Sequence, residues 1–470
     1  MAEKRIKKEN SSLSQELARA SRSPARFQSG PGLTEELVVE ISRQKDEPEW
    51  MLERRLRGLE LWQEKPMPAW GPSLDGLELD RLSYFVRPNA EESRYWKDVP
   101  TEIRRTFDRL GLPQAEREAL SGVGAQFDSD VVYHNLKKEW KELGVIFESM
   151  DVAVRKYPEL VRERFMSRCV PIGEHKFTAL HAAVWSGGTF IYVPSGVEVT
   201  VPMQAYFRMN SERGGQFEHT LIVADEGSTV EYIEGCSAPN YTTSSLHAGC
   251  VEIFVGRNAT VRYSSIENWS RNVYNLNTKR AVVDEGGTIE WLSGNLGSCT
   301  TMLYPCSVLA GRGARSDALG IAMAGVGQQQ DTGFKAIHLA ADTTSTIRTR
   351  SISKGGGRAS YRGLVQVGPE AAAARSSVSC NALIIGSGSG SDTWPILRTV
   401  RGDSELTHEA RVGRIGTEEM FYLMSRGLTE DEAIKMIVGG FVDPVVRRLP
   451  LEYAVELNRL VEMEMEGTVG

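Results

Sequence analysis

Three side chains in the last quarter of the chain have the types that bind iron or zinc: the thiol of Cys380 and the adjacent imidazole and carboxylate of His408 and Glu409. They lie in a stretch that reads S-Y-R-G-L-V-Q-V-G-P-E, then V-S-C-N-A-L-I-I-G, D-T-W-P and L-T-H-E-A-R-V-G-R-I-G. Separation along the chain does not place them together, so a fold must. Read as strand, the alternation puts Val378, Cys380, Ala382 and Ile384 on one face, where Cys380 is a small buried hydrophobe on pattern alone. Neighbours in a strand point to opposite faces, and on pattern alone His408 and Glu409 are a solvated pair at a strand end. Cys236, in I-E-G-C-S-A-P, reads as a thiol at a strand end before a turn.

The remaining cysteines are Cys169, Cys250, Cys299 and Cys306, six in all with no C-x-x-C, which argues against a disulfide framework and a dedicated structural zinc site. These four read as packing residues. A chain of 470 residues, 41% hydrophobic, buries a large core in two or three structural units. Its net charge of −7 is spread among interspersed acids and bases, which gives no footprint for nucleic acid or an anionic membrane. No apolar run approaches the roughly 18 residues of a membrane span, and the charged N-terminus has no apolar segment behind it, so a cytoplasmic location is expected.

The elements that must hold these groups follow from periodicity. Residues 1–30 are polar and basic and read as a loosely ordered arm. Residues 31–168 read as a mainly helical N-terminal domain. Leu37, Val38, Ile41, Met51, Leu52, Leu56 and Leu59 recur at helical steps, a helix starts at Thr101 and closes at Gly111-Leu112-Pro113, and an amphipathic run extends from Asn135 to Met166. Over residues 169–411 the chain turns to Val, Thr, Tyr and Ile with glycine punctuation, and from Phe177 onward helical spacing all but disappears. Glycines preceding strands at Gly196, Gly227, Gly256, Gly286 and Gly311 recur every 25 to 31 residues, the form of a parallel β-helix coil. Residues 412–470 return to helix: a capping box at Thr429 and Glu432 opens one that Gly439-Gly440 ends, and an amphipathic helix follows. Its stripe of Leu451, Ala454, Val455, Leu457 and Val461 would dock on the barrel end or a partner. The expected fold is therefore mainly β, a parallel β-helix core flanked by N- and C-terminal α-helical domains. Stacked coils lie about 4.8 Å apart, which lets isolated thiols become neighbours.

S-Y-R-G-L-V, the lone cysteine of V-S-C-N-A-L-I-I-G, the H-E pair before R-I-G, and M-I-V-G-G-F occur in the order in which the SufB/SufD family of iron–sulfur assembly proteins carries them. The chain resembles that family from about residue 30 onward, most densely from Gln328 to Gly470, and the cysteines at 380 and 236 place it nearer the SufB branch. The resemblance implies a scaffold on which a transient iron–sulfur cluster, 4Fe-4S, is built, with Cys380, His408 and Glu409 as ligands. It implies that sulfur enters at Cys236 as a persulfide and passes a route lined by Trp269 and Lys279. Thr407 stands where some relatives have a further carboxylate, and Glu267 where many have glutamine. A thiolate is the nucleophile in such transfer, so Cys236 needs a lowered pKa or a nearby cation, which Lys279 can supply. The implied partners are an ABC-type ATPase docked on the C-terminal helices, a SufD-like paralogue, a cysteine desulfurase system and apo iron–sulfur proteins; some relatives also bind reduced flavin. The sequence has no Gly-Lys pair and hence no Walker-type phosphate cradle, so ATP hydrolysis is expected of a partner and no catalytic residue of this chain.

Two other readings compete. A SufD-like structural subunit would give Cys380 no ligand role. A β-helix enzyme acting on polysaccharide would need paired carboxylates or a calcium site recurring at coil-equivalent positions, and no such acidic cluster recurs.

Overall fold

A computed structural model describes residues 20–465 apart from 22, 110–119 and 450. The chain is mainly β: a parallel β-solenoid of about eight turns, with helices before and after it. Each turn lays one strand in a ten-stranded sheet and the rest in a fourteen-stranded sheet, as short strands in the earlier turns and as one ten-residue strand in each of the last two. The long strands run Met203–Arg208, Thr229–Ser237, Thr260–Trp269, Thr288–Gly297, Arg315–Ala324, Thr344–Lys354, Arg375–Ile385 and Glu405–Arg414, each parallel to the next.

The turns explain why the glycine repeat is only partly visible. A left-handed backbone conformation recurs at Gly196, Gly227, Asn258, Gly286, Gly313, Asp342 and Ala373. The N–H of each of the first six donates to the carbonyl of the residue just before the next turn position, from Gly196 to Glu226 at 2.8 Å through Asp342 to Ala372 at 2.8 Å. The stacked position is thus Asn258 and Gly313, two residues beyond the Gly256 and Gly311 of the sequence alignment. The last two turns carry Asp and Ala, which a search for glycine passes over.

Inside the solenoid, alternation builds rows that run along its axis. One row is Tyr232, Tyr263, Trp291, Ala318, Ile347, Val378 and His408; the row beside it is Glu234, Ser265, Ser293, Gly320, Thr349, Cys380 and Ala410. Cys236 and Cys380 belong to the same buried lumenal core.

The flanking regions differ from their sequence reading in several places. The expected arm of residues 1–30 is shorter, because Ala25–Gln28 pairs antiparallel with Val86–Pro88; residues 1–19 lie outside the described residues. The N-terminal region is helical over Glu35–Gln44, Glu49–Glu64 and Thr101–Arg109, while the expected closing Gly111-Leu112-Pro113 lies outside the described residues. The amphipathic run Asn135–Met166 is not one helix. Strand Asp130–Leu136 forms a hairpin with Gly122–Phe127, which extends the ten-stranded sheet, and Gly144, at φ 82°, separates the short helix Lys138–Glu142 from strand Ile146–Ser149. Conversely, Lys176–Val184, within the stretch read as strand, is a helix, capped by His175 and Thr178. Helix Glu49–Glu64 crosses it at Gly58, where a Cβ would come within 2.8 Å of Ala182 Cβ and the Ala179 carbonyl oxygen.

At the other end, helix Glu430–Val446 continues through Gly439-Gly440. Both glycines face outward, while Val438, Val442 and Val445 are buried and hold the helix in register. The final helix, Leu451–Met465, docks on the outer face of the ten-stranded sheet rather than on the barrel end: Leu457, Leu460 and Val461 pack with Ile233, Ile266, Leu292 and Ile321. Leu451 and Val455 of the expected stripe lie outside the described side chains. Among the described residues no helix is long and apolar enough to cross a membrane.

Candidate functional site

The lumen carries chemistry at two levels, separated by five strand steps of the ladder, or roughly 24 Å at about 4.8 Å per step.

At the Cys236 level the sequence expected a thiol at a turn, but Cys236 is 2% exposed inside the solenoid. Its strand neighbour is Glu267, whose carboxylate gathers most of the polar groups nearby. Glu267 accepts hydrogen bonds from Lys279 Nζ at 2.6 Å, Asn275 Nδ2 at 2.6 Å and Trp269 Nε1 at 3.4 Å. Lys279 also lies 4.0 Å from Glu234, which accepts from Thr220 Oγ1 at 3.1 Å and from the Tyr263 hydroxyl. The His247 imidazole bridges Glu218 and Asn275 and packs on the Trp269 ring, centroids 4.2 Å apart.

These charges act on one another at close range. Burial opposes ionisation of Glu267, but Lys279 and then His247 hold its carboxyl below the usual range. Burial pushes Glu234 up to about 7, against the pull of Lys279. Burial also raises the Cys236 thiol well above its ordinary value, and Glu234, Glu267 and Glu218 add to this; Lys279 alone opposes it among the leading influences. The cation expected beside Cys236 is therefore present, but it is already paired, and in this state the thiol holds its proton. The sequence placed Trp269, Lys279 and Glu267 here; it missed Glu218, Glu234, His247 and Asn275. Their signal was available only in the register, since all project inward from adjacent coils.

At the other level, Cys380 Sγ lies 3.6 Å from His408 Nε2. His408 belongs to the inward row and is half-buried, so the strand alternation that left it on a solvated edge in the sequence instead turns it toward Cys380. Glu409, the next residue, points the other way: it is 58% exposed and pairs with Arg411 at 2.6 Å. Within this chain the thiol and imidazole meet and the carboxylate does not join them. Cys380 is 5% exposed, burial raises its thiol to about 11, and the Thr349 and Tyr361 side chains oppose that rise. Beside it a narrow cavity of about 20 Å³, room for about one water, is lined by Ser293, Thr332, Phe334, Thr349 and Tyr361.

Two strands close this level. Among the described residues Glu405–Arg414 pairs only with Arg375–Ile385, and Gly390–Thr399 only with Arg358–Val367, so each leaves one edge free there. Trp394, Ile396, Leu397 and Val412 are exposed along them, as is Val400 just past the end of Gly390–Thr399. The class defined by this architecture is a β-solenoid with paired thiol levels in its lumen and an unpaired terminal coil.

Comparison with known proteins gives the family. The model of the SufBD core domain of the SUF iron–sulfur cluster assembly system matches residues 207–441, and that of the SufBD N-terminal region matches residues 100–205. Iron–sulfur cluster assembly SufBD family proteins of Staphylococcus epidermidis, Staphylococcus haemolyticus and Staphylococcus aureus are each 54% identical over 444 residues, covering 94% of this chain and 95% of theirs. The chain belongs to the SufBD family of iron–sulfur cluster assembly proteins.

Proposed function

We propose that this SufBD-family chain is a SufB-type scaffold: it accepts sulfur at Cys236 and builds a transient iron–sulfur cluster, the cargo, at Cys380 and His408. The observation that carries the reading is the Cys380–His408 pair, a thiol and an imidazole 3.6 Å apart at the unpaired end of the solenoid. A thiol and an imidazole together suit iron or zinc better than magnesium or calcium. The free edges of the last two strands favour a SufD-like paralogue or a second copy closing over the site, and such a subunit would supply the ligands that the outward-turned Glu409 does not. Lys279, beside Glu267 and Trp269, is placed to stabilise a Cys236 thiolate once the network opens. The chain itself is a scaffold and not an enzyme, with ATP hydrolysis assigned to an ABC-type ATPase on the C-terminal helices and sulfur supplied by a cysteine desulfurase system.

The test is anaerobic reconstitution of the full complex with iron and a sulfur donor, followed by visible absorbance and transfer to an apo acceptor. Cys380→Ala is expected to reduce cluster accumulation to background, and undiminished assembly by that variant would overturn the scaffold reading. A SufD-like structural role is the second reading, favoured by the burial of Cys380 and the exposed Glu409–Arg411 pair. It requires that the wild-type chain and Cys380→Ala accumulate cluster equally.

A further inference from the structure

We propose a second metal site, unrelated to cluster assembly, formed by His181, His219 and Cys250 where the helix Lys176–Val184 lies on the outer face of the fourteen-stranded sheet. Its occupant is a borderline-soft divalent ion of the zinc type. Cys250 and His219 are direct partners in adjacent parallel strands, and His181 reaches them from the helix. One ligand atom from each lies within 4.8 Å of the other two. All three residues are at least 99% buried. Along the same strand Val251 and Ile253 belong to the lumenal core, whereas Cys250 packs with Cys169 and Val170 on the other face, so this cluster shares no residue with the thiol levels inside.

The proton arrangement points to an ion. His181 Nδ1 lies 2.9 Å from the Ala248 carbonyl, which can only accept, so Nδ1 carries the hydrogen and Nε2 presents a lone pair. That lone pair faces His219 Nδ1 at 3.1 Å. On the far side of the second ring, Glu252 Oε2 lies 3.3 Å from His219 Nε2, its carboxylate fixed by the N–H groups of Met166 at 2.6 Å and Val170 at 2.9 Å. If His219 donates to His181, its Nε2 is left bare and buried; that atom indeed has no hydrogen-bond partner. If Nε2 carries the hydrogen toward Glu252, two lone pairs and a thiol converge on one point. A metal ion resolves both: each imidazole would ligate through its inner nitrogen, with the outer N–H of His181 on the Ala248 carbonyl and that of His219 directed toward Glu252, 3.3 Å away.

Donor type selects the ion. One thiolate and two imidazoles favour zinc-like ions over magnesium or calcium. Binding breaks the Cys250 S–H bond, forms a sulfur–metal bond and releases one proton to solvent, with no change of oxidation state. The site has no opening to solvent, so the ion enters as the helix packs onto the sheet.

The test uses the full-length chain produced in zinc-supplemented or cobalt-supplemented cells and purified in excess EDTA. Wild type is expected to retain one zinc per chain and, with cobalt, a thiolate-to-cobalt charge-transfer band in the near ultraviolet. Cys250→Ala, and independently His219→Gln, which keeps a donor toward His181, should retain at least about ten-fold less metal, and Cys250→Ala should lose the band. Cys236→Ala and Cys380→Ala should retain the zinc. Wild type that emerges free of metal overturns the proposal, as does metal held undiminished by either variant. Because the wild-type result alone can refute it, the proposal stays falsifiable even if a variant does not fold.

Discussion

The two lumenal levels are built from the same strands by the same alternation, yet they differ in what surrounds the sulfur. Around Cys236 the solenoid buries three carboxylates, a lysine and a histidine in one network, sealed by coils on both sides. Around Cys380 the neighbours are Thr349, Tyr361 and one imidazole, and the next coil is the last. The interior level is held by mutual charge and therefore resists change in any one member. The terminal level is held by shape, with its polar partners left available. On the scaffold reading proposed above, the interior level would be the stable end and the terminal level the labile one.

The largest effect should come from unbalancing the interior level. Lys279→Met leaves Glu267 buried without its cation and should cost about 3–5 kcal/mol in urea unfolding. The comparison breaks if the cost matches that of a surface lysine.

Next comes a pH effect with a defined sign. The folded chain keeps the Glu234 proton up to about pH 7, whereas the unfolded chain loses it near 4.5, so the folded state binds more protons across that window and stability falls as pH rises through it. Glu234→Gln should remove this slope, on the order of 2 kcal/mol between pH 5 and pH 8, as read by unfolding at each pH. A variant with an unchanged slope would place the titration elsewhere.

At the terminal level His408→Ala should change unfolding stability by no more than about 1 kcal/mol while sharply lowering cluster accumulation in the reconstituted complex. A large stability loss would make His408 structural. Smallest of all, Glu409→Gln should shift stability within about 0.5 kcal/mol, since its ion pair with Arg411 is exposed. Its effect on cluster yield, compared with and without the paralogue, reports whether a second subunit redirects the carboxylate.

Much of this architecture can be read in the residues, and the reasons for the gaps are physical. The solenoid shows because a turn at nearly constant spacing must be left-handed, and glycine meets that need at four of its seven positions. Asn258, Asp342 and Ala373 fill the others, so the repeat fades where the site begins. Hydrophobic spacing read Asn135–Met166 as one amphipathic run because strand and helix segments of four to seven residues each bury apolar side chains, and Gly144 and Pro158 alone mark breaks in it. Cys380 and His408 were recognisable as donors, but their pairing depends on a register in which His408 lies opposite Val378 and reaches Cys380 diagonally. The charge network at Cys236 comes from six strands and has no local signature.

The C-terminal helices have a mechanical consequence. Their buried side chains pack with Ile233, Ile266, Leu292, Leu319, Ile352 and Ile385, on strands from most of the stack. Coils that would otherwise fray independently from the free end are thereby clasped along their backs. Displacing those helices would therefore act on many coils at once rather than on one.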